Sequence, residues 1–284
     1  MFGFSSQDIS RGLIGMAVLL GSAWTAPAAE KDAAIPDLAA AELSWVKVGD
    51  DYLPPASGPG PVTFDKAHPY QPNNDKGLQP TYRVSDLTNP ILKPWAIEQM
   101  KKTNDEVLAG GAPFRARSSC VPGGVPDFLI YGRLEPLYFA QTPKEVLLLN
   151  QADAQTRHVY MNVPHSKTPK PSWYGESVGH YENGDTLVVD TIGMNDKTFV
   201  DDYRTPHTAA LHVVERYRVM DGGKTLQVTF TVEDPAAFNM PWSAMQIYHR
   251  VKEGPITEAV CAENHGSVFN DPHHPMPEAR TPDF

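Results

Sequence analysis

The sequence predicts an all-β protein, an antiparallel meander closed into a lipocalin-like barrel, with a two-sheet β-sandwich as the alternative. Three observations carry this prediction. Apolar residues recur at period two from Leu137 onward. The runs are short and separated by turn residues, of which Asn183-Gly184 is the strongest hairpin signal. A long series of such strands leaves bare edges unless the sheet closes on itself.

Taken in order, the elements begin with an export signal at residues 1–28. Arg11 precedes an apolar run, residues 12–24, and Ala26-Pro27-Ala28 supplies a small-residue cleavage pattern. That run is too short to cross a bilayer as a helix, and no later segment is apolar enough to do so. A periplasmic or secreted location is therefore expected. Residues 29–93 read as an extended, proline-rich region and residues 266–284 as an irregular tail, which leaves 94–265 as the folded domain. In it, Pro94 suits a first helical turn. Trp95, Ile97 and Met100 begin an apolar stripe, and Gly110-Gly111 end a helix expected to cover one end of the barrel. Strands are predicted at 137–141, 146–150, 156–161, 177–182, 185–191, 211–219, 225–233, 242–251 and 256–263.

The formal charge is −10, with no cluster of Lys and Arg, which argues against nucleic acid and anionic membranes as partners. No dinucleotide fingerprint, P-loop or zinc-protease motif is present. Cys120 and Cys261 are the two cysteines. An oxidising compartment favours a disulfide between them, with buried free thiols or one reactive thiol as the alternatives.

Several residues invite a chemical reading. Gly175-Glu176-Ser177-Val178-Gly179 matches the G-x-S-x-G pattern of serine hydrolases. That motif requires a strand-to-helix turn, and here a hairpin follows instead. His207, His212 and Glu215 resemble a metal cluster, but on a strand His212 and Glu215 project from opposite faces. Glu215 shares a face with Leu211, Val213, Tyr217 and Val219, so the barrel carries this carboxylate inward. Desolvation there favours a general acid or base, whereas pairing with Arg133 or Arg157 favours a structural role. Asp190 is placed to orient a histidine or to cap a turn. Trp173, Tyr174, Trp242 and Tyr248 are candidates for a cavity mouth, and Tyr217 is a further candidate substrate contact.

These motifs, taken as a set, are similar to those of a large, mostly uncharacterised family of secreted bacterial proteins. Its members share a Cys-Leu/Val-Pro-Gly-Gly/Val-Pro run and a G-x-S-x-G-x-W-E-G-D-T-L-V-V-x-T-x-G-F-N-D block. A P-H-S/T-x-A-L-x-V-x-E-R-F/Y stretch, D-P-x-x-[FY]-x-x-P-W and C-x-E-N follow. The matching residues here are 120–126, 175–196, 206–217, 234–242 and 261–264. Tyr181 stands in place of Trp, Asn183 is an extra turn residue, and Met194 replaces Phe. The resemblance implies export and supports the cysteine pairing; it implies no reaction.

The expected function is an exported enzyme acting on a small, largely apolar or aromatic molecule in a barrel cavity. Its chemistry would be acid–base, of lyase, hydratase/dehydratase or isomerase type, with no organic cofactor and no metal. In that reading Glu215 is the acid or base, His207 its partner and Asp190 an orienting group. Glu215→Gln is expected to abolish turnover while leaving thermal stability nearly intact. The alternatives are a non-catalytic lipocalin-like carrier and a metal-dependent hydrolase using the histidines.

Overall fold

The computed structural model describes residues 35–39, 43–71, 82–131, 135–252 and 256–261. The predicted signal segment, Arg133 and the residues 266–284 lie outside them. Among the described residues one helix and nine strands stand out: β1 Ser44–Lys47, α1 Pro94–Leu108, β2 Leu137–Gln141, β3 Glu145–Asn150, β4 Gln155–Met161, β5 Glu176–Glu182, β6 Thr186–Ile192, β7 His212–Met220, β8 Thr225–Glu233 and β9 Trp242–Val251. The strands form a closed barrel in sequence order.

Period two explains most of it. In β8, Leu226, Val228, Phe230 and Val232 are buried while the alternate residues reach outward. Its partner β7 runs antiparallel in register Glu215↔Phe230 and Tyr217↔Val228, so both strands point the same set inward. Asn183 and Gly184 hold positive φ of 53° and 73°, the pair of left-handed residues that turns β5 into β6 with the sheet's own twist.

Two details differ from expectation. Of the ninth predicted strand, 256–263, residues 256–260 are irregular, and residues 262–263 lie outside the described residues. Closure comes instead from β1, which pairs with β9 over Ser44↔Val251 to Lys47↔Tyr248 and with β2 at Trp45↔Leu137. In addition, β4 and β5 pair in parallel, joined by the long crossover that contains His165 and Trp173; every other pairing is antiparallel.

Helix α1 starts at Pro94 as predicted and gives way to Gly110 at φ +85°. Its buried face is Ala96, Met100 and Asn104, whereas Trp95 is exposed. Asn104 fixes the helix by bonding both the N–H and the carbonyl of Ser85. Further along, Cys120 and Cys261 form a disulfide with a Cα–Cα distance of 5.5 Å. It closes 141 residues of chain, a constraint on the unfolded state worth about 5 kcal/mol in the chain-entropy model. Among the described residues, no helix is long and apolar enough to cross a membrane.

Candidate active site

Glu215 is inside the barrel, as the alternation of β7 predicts, and it has a counter-ion. Arg157, projecting inward from β4, donates from Nη1 to Glu215 Oε1 at 2.9 Å and from Nη2 to Oε2. Tyr217 donates its hydroxyl to Oε1 at 2.8 Å. The far edge of the guanidinium bonds Ser177 and Thr191, the latter at 2.7 Å. Neither Arg157 nor Glu215 has any accessible side-chain surface. Ser177, the serine of the G-x-S-x-G match, is the second residue of β5 and belongs to this network.

His207 lies elsewhere. Its Nδ1 is 3.1 Å from the Thr208 carbonyl, which only accepts, so Nδ1 carries the proton. Burial pushes the imidazole pKa down, and the neutral ring accepts at Nε2 from Thr198 Oγ1 at 3.0 Å. Glu215 is not among its hydrogen-bond partners. Asp190 does orient histidines, but on the outer face of the barrel: its Oδ1 is 3.0 Å from His165 Nε2 and 2.9 Å from His212 Nε2. Those two residues hold the β4–β5 crossover against β6 and β7.

The predicted aromatics are likewise dispersed. Lys197 stands 5.8 Å over the Trp173 ring. Tyr174 packs edge-on against Phe128, with ring centroids 5.4 Å apart. Trp242 and Tyr217 are core residues, in edge contact with Phe230 and Phe139 respectively. Tyr248 anchors the turn that follows Val125, donating to the Leu129 carbonyl, while Tyr52 donates to that of Pro126. Burial raises the proton affinity of both phenols, so they act as neutral donors.

That turn builds a site the strand pattern does not reveal. A narrow cleft is lined by Arg115, Asp127, Tyr131, Phe199, Asp202 and Arg204, among others. Two glycines make it possible. A Cβ at Gly123 would lie 2.4 Å from Asp127 Oδ2 and 2.6 Å from the Tyr131 ring. At Gly124, with φ +80°, it would lie 2.5 Å from Thr198 Oγ1, the group that bonds His207. The Gly-Gly pair therefore seats Asp127 in the cleft and docks the turn onto the segment between β6 and β7.

Charges in the cleft are interlocked. Asp202 receives Arg83 Nη1 at 2.8 Å on Oδ2 and Arg115 on Oδ1. Asp201 accepts from the Tyr203 and Thr205 amides and the Thr205 hydroxyl, at 2.9, 3.1 and 2.8 Å, yet burial pushes its carboxyl up to about 6. Asp127 is half-buried in the cleft wall. Burial first, then the neighbouring Asp202 and Asp201, hold it well above the ordinary carboxylate range, against the opposing pull of Arg115 and Arg83. A carboxyl whose proton affinity is raised and that lines a cleft is equipped to give up a proton and take it back.

Asp127 directly follows the Cys120–Pro126 motif and belongs to no pattern of its own. The signal available was the Gly123-Gly124 pair, because paired glycines before an acid mark a close approach. The chain matches no protein-family model, and a search of curated proteins finds no match to it.

Proposed function

We propose that this protein is an exported enzyme of acid–base chemistry, of lyase, hydratase or isomerase type, acting on a small molecule with an apolar or aromatic body. It groups with the secreted bacterial proteins whose motifs it shares. Asp127 gives and takes the proton, and Tyr131 and Phe199 flank the substrate. The observation that carries this reading is a carboxyl with raised proton affinity, seated by two sterically required glycines in a cleft. The Cys120–Cys261 disulfide, tethered beside the cleft where Cys261 contacts the Arg117 carbonyl, suits an oxidising compartment. Glu215 takes a structural part: Arg157 matches its charge, and a substrate would have to displace core side chains to reach it.

The test is Asp127→Asn. Protein from residue 29 onward is incubated in D2O with a panel of aryl-substituted hydroxy and oxo compounds, and products and solvent deuterium are followed by NMR. The variant is expected to lose roughly 100-fold or more in rate, the usual contribution of a positioned acid or base, with its circular dichroism unchanged. Equal turnover in the two proteins rejects Asp127 as the acid–base group.

A further inference from the structure

The crossover from β4 to β5, residues 162–175, is held in two different ways along its length. Its second half is bound by backbone. The Ser172 N–H donates to the Gly193 carbonyl at 3.1 Å, and the Asn195 N–H donates to that of Ser172 at 2.8 Å. Tyr174 then packs on Phe128 and bonds Gln155. The first half lies open: from 162 to 170 every residue but His165 and Pro169 is exposed. Side chains tie it down. Ser166 donates its amide, at 2.6 Å, and its hydroxyl to Glu176, the first residue of β5. His165 reaches both Glu176 and Asp190 on the outer face of the barrel.

The contacts of that imidazole decide when the tie holds. Its Nδ1 lies 3.1 Å from Glu176 Oε1 and its Nε2 lies 3.0 Å from Asp190 Oδ1. An ionised carboxylate only accepts, and a neutral imidazole has one N–H, so His165 fills both contacts only as the imidazolium. After loss of one proton, a ring lone pair faces a carboxylate and the contact turns repulsive. His212 is built differently. Its Nε2 is 2.9 Å from Asp190 Oδ1, while its Nδ1 stands 3.6 Å from Glu233, so the neutral ring keeps its one hydrogen bond. Ser166 foremost, and then His165, hold the Glu176 carboxyl below its ordinary range, which keeps it an acceptor. The next charged groups along β5 and β7, His180 and Arg216, are both engaged by Glu182. Glu176, Asp190, His212 and Glu233 are therefore the groups that set the field around His165. We infer that His165 is a pH-dependent latch. As the imidazolium it staples the first half of the crossover to β5 and β6. Once deprotonated it lets residues 163–168 lift from the barrel and opens Glu176 and Asp190 to solvent, while the second half stays in place. The latch acts on the outer face, whether or not Asp127 is catalytic.

Amide–water exchange followed by NMR on the protein from residue 29 onward tests the latch, at about pH 5.5 and about pH 8.5, on either side of the ordinary imidazole range. Corrected for the intrinsic rate at each pH, protection of the Ser166 amide is expected to fall about ten-fold on going to the higher pH, as a charge-assisted bond is lost. Asn195, in the backbone-held half, is expected to keep its protection. In His165→Gln, whose amide does not titrate, Ser166 is expected to be weakly protected at both pH values. His212→Gln is expected to retain the wild-type response, because His212 keeps its Asp190 bond in either protonation state. Equal Ser166 protection at the two pH values overturns the latch. So does a pH response that survives in His165→Gln or disappears in His212→Gln. A loss of protection spread equally through Ser166, Asn195 and the β7–β8 ladder overturns it as well, since that pattern reports the pH dependence of the whole fold.

Discussion

At the scale of single residues, Glu215 shows how one pattern supports two opposite roles. Alternation along β7 places it inside the barrel, and a lone interior carboxylate reads as a catalyst. Its partner Arg157 is 58 positions away, on β4, and no local spacing connects the two. Pairing changes the expected outcome of mutation. Glu215→Gln leaves the Arg157 guanidinium in the core without a counter-ion, at a cost of about 3–5 kcal/mol. Urea unfolding is therefore expected to show a large drop in midpoint for Glu215→Gln and for Arg157→Met, contrary to the intact stability expected from sequence. The double replacement Arg157→Met with Glu215→Leu recovers much of that loss, since an apolar pair of similar volume avoids the desolvation of both charges. Unchanged stability in either single variant contradicts the buried pair. The cleft was hidden for the same reason: Arg115 and Asp202 are 87 positions apart, and only the folded chain brings them together.

At the scale of elements, the strands that sequence made legible are those long enough to alternate. β7, β8 and β9, of nine or ten residues each, carry the pattern openly, and β7 turns into β8 at Gly222-Gly223. β1 has four residues, Ser-Trp-Val-Lys, in a region whose prolines signal irregular chain. Too short for a period to register, it is nonetheless the strand that closes the barrel. Residues 256–263 carry apolar residues at the right distance from a Gly-Pro turn, and the edge they were expected to cover is already taken by β1. Trp45 holds that seam. It is buried between Leu137 and Arg250 in the ladder, its indole N–H donates to the Leu38 carbonyl at 2.9 Å, and the Arg250 guanidinium lies 4.3 Å over its ring. Trp45→Ala is expected to cost about 3–5 kcal/mol, the usual range for removing a buried tryptophan. Native-state hydrogen exchange locates the effect: amides of β2 and β9 facing the seam speed up, while the β7–β8 ladder keeps its protection. Uniform acceleration through all strands argues instead for global destabilisation without a weak seam.

For the whole molecule, the buried acids of the cleft set a pH dependence that composition does not suggest. Asp201 is pushed up to about 6 from an ordinary 3.8, and Asp127 is raised as well. A folded-state carboxyl with a raised pKa binds more protons than the unfolded chain over the interval between the two values. Stability is fully present below the unfolded value and is lost as pH rises through the folded one. For Asp201 the window runs from about pH 4 to 6, and its size is on the order of 3 kcal/mol. Asp127 contributes a loss of the same sign. His207 works in the other direction: its lowered pKa gives stability that is present above about 6.5 and lost as pH falls toward the folded value. Because these terms overlap, the wild-type profile alone does not separate them, and a difference does. Asp127→Asn removes one titrating group while leaving Asp201 and His207 in place. The variant is expected to be more stable than wild type at pH 8, with the gap narrowing steadily toward pH 4, as read from urea midpoints across that range. A gap that is absent, or that widens on acidification, means the Asp127 carboxyl is not held protonated by the fold. The acid–base reading of the cleft would then lose its physical basis, whatever the turnover of the variant.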